Sequence, residues 1–223
     1  NLLLGYTGQL SLGHAAFFGI GAYATALVSV KLEMSPWLGM LAAIVLPGLA
    51  GWGIGRLALK LRGAYFVLLT ISFAGVVSLV SVNWMDLTNG PLGIPGVPAL
   101  AIALPGLPEL SLRTKGAFYY LVLAAVVLAY LVCRRIIASR IGRALVALRE
   151  NETLAESVGI DGTFYLVLAA AISAAMAGAA GGLYAHYTRF VSPELFLFTY
   201  TVTMVIMVVA GGKGTLAGPV VGA

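Results

Sequence analysis

The chain has 223 residues, 61% hydrophobic and 9% charged, with a formal net charge of +5 and a mean hydropathy of +1.01. Soluble domains are about one-quarter charged, so the composition excludes most water-soluble folds, and its apolar excess excludes intrinsic disorder. The 28 glycines follow no Gly-X-Y period, which excludes collagen, and the apolar residues come in long runs without dyad alternation, against a β-barrel. An all-α polytopic transmembrane bundle is left.

Six apolar runs have roughly the length that a 30 Å hydrocarbon core needs. In the first, Leu2–Val30, the stretch Gly5-Tyr-Thr-Gly-Gln-Leu-Ser-Leu-Gly13 is polar and flexible, so it reads as a broken or re-entrant segment with a helix from about Ala15. Such backbone is tolerated at membrane depth only where protein or a water-lined cavity satisfies it. The second run, Trp37–Leu59, carries Pro47, which suggests a kink, and Gly51-x3-Gly55, a close-packing signal. The third is Ala64–Met85. The connection Asp86–Lys115 holds Pro91, Pro95, Pro98, Pro105 and Pro108, which forbid a regular helix. By charge it faces outward, and a loop of this length is usually functional or flexible.

The fourth run, Gly116–Cys133, ends on the single cysteine, so no intramolecular disulfide is available. The connection Arg134–Asp161 holds five Arg, three Glu and one Asp, nine of the 21 charges in the chain. From Ser139 it reads as one helix with Leu145, Leu148, Ala155 and Val158 near one face and a stop at Gly159. The fifth run, Thr163–Tyr187, carries Ala174-x3-Gly178-x3-Gly182, again a packing pattern. The sixth is Leu195–Ala210. The chain opens at Asn1 inside an apolar run and stops at Ala223, so 1–223 is expected to be one transmembrane domain, incomplete at both ends.

Loop charge gives an orientation. Alternating the runs places Arg56, Lys60, Arg62, Arg134, Arg135, Arg140, Arg143, Arg149 and Lys213 on one side, nine basic residues against the four on the other, Lys31, Arg113, Lys115 and Arg189. The nine-residue side is expected to be cytoplasmic. The positive charge therefore reads as membrane orientation, with no nucleic-acid partner. All eight carboxylates (Glu33, Asp86, Glu109, Glu150, Glu152, Glu156, Asp161 and Glu194) fall in loops or at the edges of runs. Ion-coupled carriers commonly use intramembrane carboxylates, so energy for any transport is expected from an outside supplier.

Phosphate and dinucleotide motifs fail. Gly211-Gly-Lys-Gly-Thr215 has Gly214 where a phosphate loop needs Ser or Thr after the lysine. Gly19-Ile-Gly21 lies in a membrane helix with no strand before it, and Asn151-Glu-Thr153 is an accidental sequon if its side is cytoplasmic. No cofactor or metal set can be assembled from the chain. His14 and His186 lie in apolar surroundings, where hydrogen bonding to nearby backbone competes with lining a path. Tyr6, Thr7, Gln9 and Ser11 beside His14 favour the latter for that residue.

The strings themselves resemble a known family. Asn1-Leu-Leu-Leu-Gly-Tyr-Thr-Gly-Gln-Leu-Ser-Leu-Gly-His-Ala-Ala-Phe-Phe-Gly-Ile-Gly-Ala-Tyr23 is similar to the opening signature of branched-chain amino-acid ABC importer permeases of the LivM-like type. Leu61-Arg-Gly-Ala-Tyr-Phe66, Gly142–Glu152 with Val158-Gly-Ile160, Ile172-Ser-Ala174, Gly182-Leu-Tyr-Ala185, Ser192-Pro193 and Gly211–Pro219 follow in the family's order. The chain departs from the pattern at Leu166, where relatives often carry a basic residue, and at Thr203, where Glu is frequent. The resemblance implies a second permease subunit, two cytoplasmic ATPase subunits that hold ATP and Mg, and a periplasmic or lipid-anchored binding protein, in a bacterial or archaeal cytoplasmic membrane. It implies no enzymatic chemistry on this chain. The Arg134–Asp161 segment matches the family's coupling region, so Arg143, Arg149, Glu150, Glu152, Glu156 and Gly159 are the coupling candidates. Gln9, Ser11, Gly13 and His14 are the path candidates, since a zwitterion's charges can be met by backbone at helix breaks. Two alternatives stay open: a permease for urea or short amides, and an ATPase-independent channel or membrane scaffold.

Overall fold

The computed structural model describes residues 1–58, 64–102, 110–111 and 114–223. Helices dominate. They are α1 (His14–Ala26), α2 (Pro36–Ala58), α3 (Ala64–Asn83), the single turn α4 (Met85–Thr88), α5 (Lys115–Ala138), α6 (Arg140–Glu150), α7 (Glu152–Ser157), α8 (Gly162–Thr188), α9 (Phe198–Ala210) and α10 (Gly218–Val221). Among the described residues sheet is confined to two-residue strands: β1 (Ile94–Pro95), β2 (Ala101–Ile102), β3 (Leu110–Ser111) and β4 (Phe190–Val191). The Leu61–Gly63 part of the second family string lies outside the described residues, as do Lys60, Glu109, Arg113, Pro105 and Pro108.

Among the described residues four helices are long and apolar enough to cross a membrane: Pro36–Leu57, Tyr65–Asn83, Lys115–Ala138 and Gly162–Thr188. The first and sixth runs differ from uninterrupted spans. The first begins as a π-helical segment, Leu2–Thr7, opens into non-helical chain, resumes as α1 and ends in a second π-helical stretch, Leu27–Lys31. The sixth is a 13-residue helix, α9, entered through a 3-10 turn at Pro193–Phe196. The break in the first run falls where the polar, glycine-rich sequence placed it.

Small residues set the packing of α1, α2 and α8. Pairing of Ala43 with Gly182, Pro47 with Gly178, Gly51 with Ala174 and Gly55 with Ala170 runs α2 antiparallel to α8. Gly21 meets Gly178 backbone to backbone, and Gly181 meets the Phe18 carbonyl. In hydrocarbon, where burial of apolar surface drives no helix together, this close approach supplies the attraction. Pro47 sits buried within α2 at that seam. By contrast α5 leaves Leu123, Val126, Val127, Leu128 and Leu131 exposed, an apolar surface suited to lipid.

The first part of the Pro-rich connection, residues 86–102, packs onto the bundle. β1 pairs antiparallel with β4 through Ile94–Val191 and Pro95–Phe190. Ile94 and Val97 are buried with Ala22, Tyr23, Ala26, Ala185, Leu195 and Phe196. His186 Nδ1 donates to the Pro98 carbonyl (2.7 Å), Trp37 Nε1 to that of Ala101 (2.9 Å), and Lys31 Nζ to that of Asp86. At the other pole lie α6, α7 and the turns after α9.

The charged segment differs from the single helix expected. Ser139 caps α6, its Oγ accepting from the Ile141 amide, and Asn151 breaks the helix and caps α7, its Oδ1 accepting from the Leu154 amide. Gly142, Ala144, Leu145, Leu148 and Ala155 form the buried side. Val158, expected near that face, is 72% exposed because it follows the end of α7. The stop at Gly159 is where it was expected: φ is +88°, and the Ile160 amide donates back to the Ala155 carbonyl, a Schellman closure. Leu166 is buried against Leu148 and Ala155, which explains an apolar residue there.

Candidate functional site

The broken ends of α1 and α9 meet. The Ala15 amide, in the first turn of α1, donates to Thr201 Oγ1, in the first turn of α9, at 3.0 Å. Neither helix has a side-chain cap: Gly13 precedes α1 and Leu197 precedes α9. Two helix N-termini, each carrying a partial positive charge, thus converge inside the bundle. Gly13 is required by contact, since a Cβ there would strike the Thr70 carbonyl. The neighbouring Leu12 amide is satisfied by Thr70 Oγ1 (3.1 Å).

His14 opens α1 and bridges two serines. Nδ1 lies 3.0 Å from Ser11 Oγ and Nε2 2.9 Å from Ser173 Oγ, near the middle of α8. A neutral imidazole donates through one nitrogen and accepts through the other. Whichever tautomer is present, one serine accepts from the ring and keeps its O–H free. The other donates to the ring and keeps lone pairs free. The pair therefore offers both a donor and an acceptor.

Ser11, His14, Ser173 and Thr201, with Asn1 and Tyr6, are polar residues lining a cavity of about 400 Å³. Leu2, Leu3, Val126, Met176, Val205 and Val208 are among its apolar walls, with Tyr130 and Cys133 from α5. Among the described residues no Asp, Glu, Lys or Arg lines it. Among the described residues no cluster of His, Cys, Asp and Glu could hold a metal ion. The site suits a ligand with an apolar body and a polar, net-neutral head.

Of the four path candidates, Ser11 and His14 line the cavity, and Gly13 makes the helix break. Gln9 is half-buried but does not line it; its amide donates to Thr7 Oγ1. Ser173 and Thr201 escaped sequence reasoning: Ser173 is a lone hydroxyl in mid-run, and Thr201 is one of several hydroxyls beside Thr199, Tyr200 and Thr203. The two histidines divide: His14 faces the cavity, whereas His186 clamps the Pro98 carbonyl.

Five of the coupling candidates lie on α6 and α7, and Gly159 in the turn that follows α7. Arg143, Glu150 and Glu156 are exposed and Glu152 is half-buried. Arg149 pairs with Glu150 (Nη2 to Oε1, 2.5 Å) and also donates from Nη1 to the Gly5 carbonyl (2.7 Å). The Gly211–Thr215 string is a turn, with Gly212 and Gly214 at φ +99° and +80°, and it binds Asn1.

The family described as "Branched-chain amino acid transport system / permease component" matches residues 1–223. The chain is 35% identical to the high-affinity branched-chain amino acid transport system permease protein LivM of Salmonella typhimurium, over 96% of this chain and 55% of the relative. It is 28% identical to a probable LivM of Methanocaldococcus jannaschii, over 92% of this chain and 62% of the relative. To the LivH permease of Salmonella typhimurium it is also 28% identical, over 99% and 75%. The chain thus spans about half the length of the Salmonella LivM it matches. No solved structure matches it.

Proposed function

Because the chain belongs to the permease components of branched-chain amino-acid transport systems, we propose that it is a permease subunit of an ATP-driven importer and forms the path for leucine, isoleucine or valine. The cavity carries this reading. Apolar walls accept an aliphatic side chain, while Ser11, His14, Ser173 and Thr201 offer a donor and an acceptor to a zwitterion without any fixed charge. The converging N-termini of α1 and α9 favour a carboxylate.

The same reading assigns the poles. The Arg-rich pole carrying α6 and α7 is cytoplasmic by the positive-inside rule, in a bacterial or archaeal cytoplasmic membrane. There the two helices meet a pair of ATPase subunits, which hold ATP and Mg. The strapped Pro-rich connection faces the periplasmic or lipid-anchored binding protein. A second permease subunit completes the path. Urea or a short amide remains the rival cargo; the apolar walls disfavour it, because such molecules bring no side chain to bury there.

The experiment is reconstitution of the full-length subunit with its second permease and ATPases in proteoliposomes. The expected result is ATP-dependent uptake of leucine, isoleucine and valine in the presence of the binding protein. ATP-dependent uptake of urea or acetamide alone assigns the rival cargo. Flux that ignores ATP makes the protein a channel.

A further inference from the structure

The Leu2–Thr7 segment ends three residues before the cavity wall reaches Leu10 and Ser11. The carbonyls of its last turn must look beyond the segment for donors. That of Gly5 finds Arg149 Nη1, at the end of α6. The stem of the same side chain lies against Gly8, where φ is +73° and an added Cβ would stand 3.1 Å from Arg149 Cγ. The rest of the guanidinium fork is held on α6's own carboxylate, Nε and Nη2 both reaching Glu150 Oε1.

Two further contacts fix the same segment. Leu2 and Leu3 pack with Leu145 of α6 and Ala169 of α8. Asn1 donates to the Thr215 carbonyl (2.6 Å) and accepts from the Gly214 amide (3.1 Å). Gly5 leaves no room for a side chain between Asn1 and Gly214. One guanidinium therefore joins the charged pole to the strand of chain that carries Ser11 and His14.

Resting on the transport reading above, we propose that Arg149 is a positioning residue: it holds the Leu2–Thr7 segment to α6 as one moving body, so that a displacement of α6 reaches the Ser11–His14 wall. Leucine contacts supply attraction without direction. The charge-assisted hydrogen bond supplies direction, because it fails when the donor and the carbonyl turn out of line.

The test uses the full-length subunit in its assembled complex, in proteoliposomes, with leucine uptake and ATP hydrolysis measured together. Arg149→Met keeps the stem on Gly8 and removes the donors. It is expected to lower leucine moved per ATP hydrolysed about tenfold, with hydrolysis close to wild type. Arg149→Lys retains an ammonium donor and is expected to recover most of that ratio. A merely structural role lowers uptake and hydrolysis together and leaves the ratio unchanged; that result overturns the proposal.

If Arg149→Met does not assemble, a crosslink decides. Leu2→Cys and Leu145→Cys, in a Cys133→Ser background, are joined by a short thiol-reactive linker. Uptake that survives the linkage supports one moving body, whereas uptake abolished by it means that the two parts must separate. A wild-type complex that hydrolyses ATP without moving leucine sinks the transport reading and this one with it. A coupled wild type with a coupled Arg149→Met sinks the positioning role alone.

Discussion

Ser173 Oγ lies 2.9 Å from Nε2 of His14, so the middle of α8 holds the imidazole that opens α1. Removing that hydroxyl leaves a ring nitrogen without its partner beside the cavity. A hydrogen bond of this kind contributes about 1 kcal/mol net, equivalent to about fivefold in affinity. Ser173→Ala is therefore expected to raise the KM for leucine uptake by about that factor, while Ser173→Thr, which keeps the hydroxyl, stays near wild type. Uptake kinetics at several leucine concentrations check it. An unchanged KM with a lowered melting temperature would show that Ser173 only props the helix.

Close packing of α1, α2 and α8 makes a paired prediction. A Cβ at position 178 would overlap the Ala43 carbonyl and the Pro47 ring, both part of a rigid seam. Gly178→Ala is expected to destabilise by about 1–3 kcal/mol, the usual cost of overpacking. At Gly53, six residues along α2 from Pro47, an added Cβ would meet nothing within 4 Å among the described residues. Gly53→Ala is expected to be neutral or stabilising by up to about 1 kcal/mol, from helix propensity alone. Thermal unfolding in detergent compares them, and equal effects would refute the seam.

The separation of α6 from α7 rests on Asn151, whose side chain caps Leu154. Loss of such a cap costs about 1 kcal/mol. Asn151→Ala is expected to speed amide exchange over residues 152–157 with little change in α8, while Asn151→Asp preserves the cap. Exchange measured by mass spectrometry reads both, and uniform protection across the variants would remove the capping role.

What was legible in the sequence follows the range of the forces involved. Four of the six long apolar runs, the glycine-rich break before His14 and the stop at Gly159 are local, and these stand in the structure. The partners of His14 are not local. Ser173 is 159 residues away, and a lone hydroxyl in an apolar helix reads equally well as one bonded back to its own carbonyls. Asn151 sits in a sequence of good helix formers, so periodicity runs through it, and only its side chain's competition for the Leu154 amide reveals the break. The Pro-rich connection reads only as functional or flexible, because the tie of Ile94 on Val191 spans nearly half of the chain.

Cys133 provides a probe of the cavity from the opposite wall. It comes from α5, is half-buried, and lies 3.8 Å from Met176 Sδ of α8, and both residues line the cavity that holds Ser11 and His14. A ligand seated between α5 and α8 covers that thiol. In the assembled complex, labelling of Cys133 by a small neutral maleimide is expected to slow severalfold at saturating leucine, and not with urea. Since Cys133→Ser removes the label without adding bulk, it reports any background from the partner subunits. A labelling rate indifferent to leucine would mean that the cavity between α5 and α8 is not where the substrate passes.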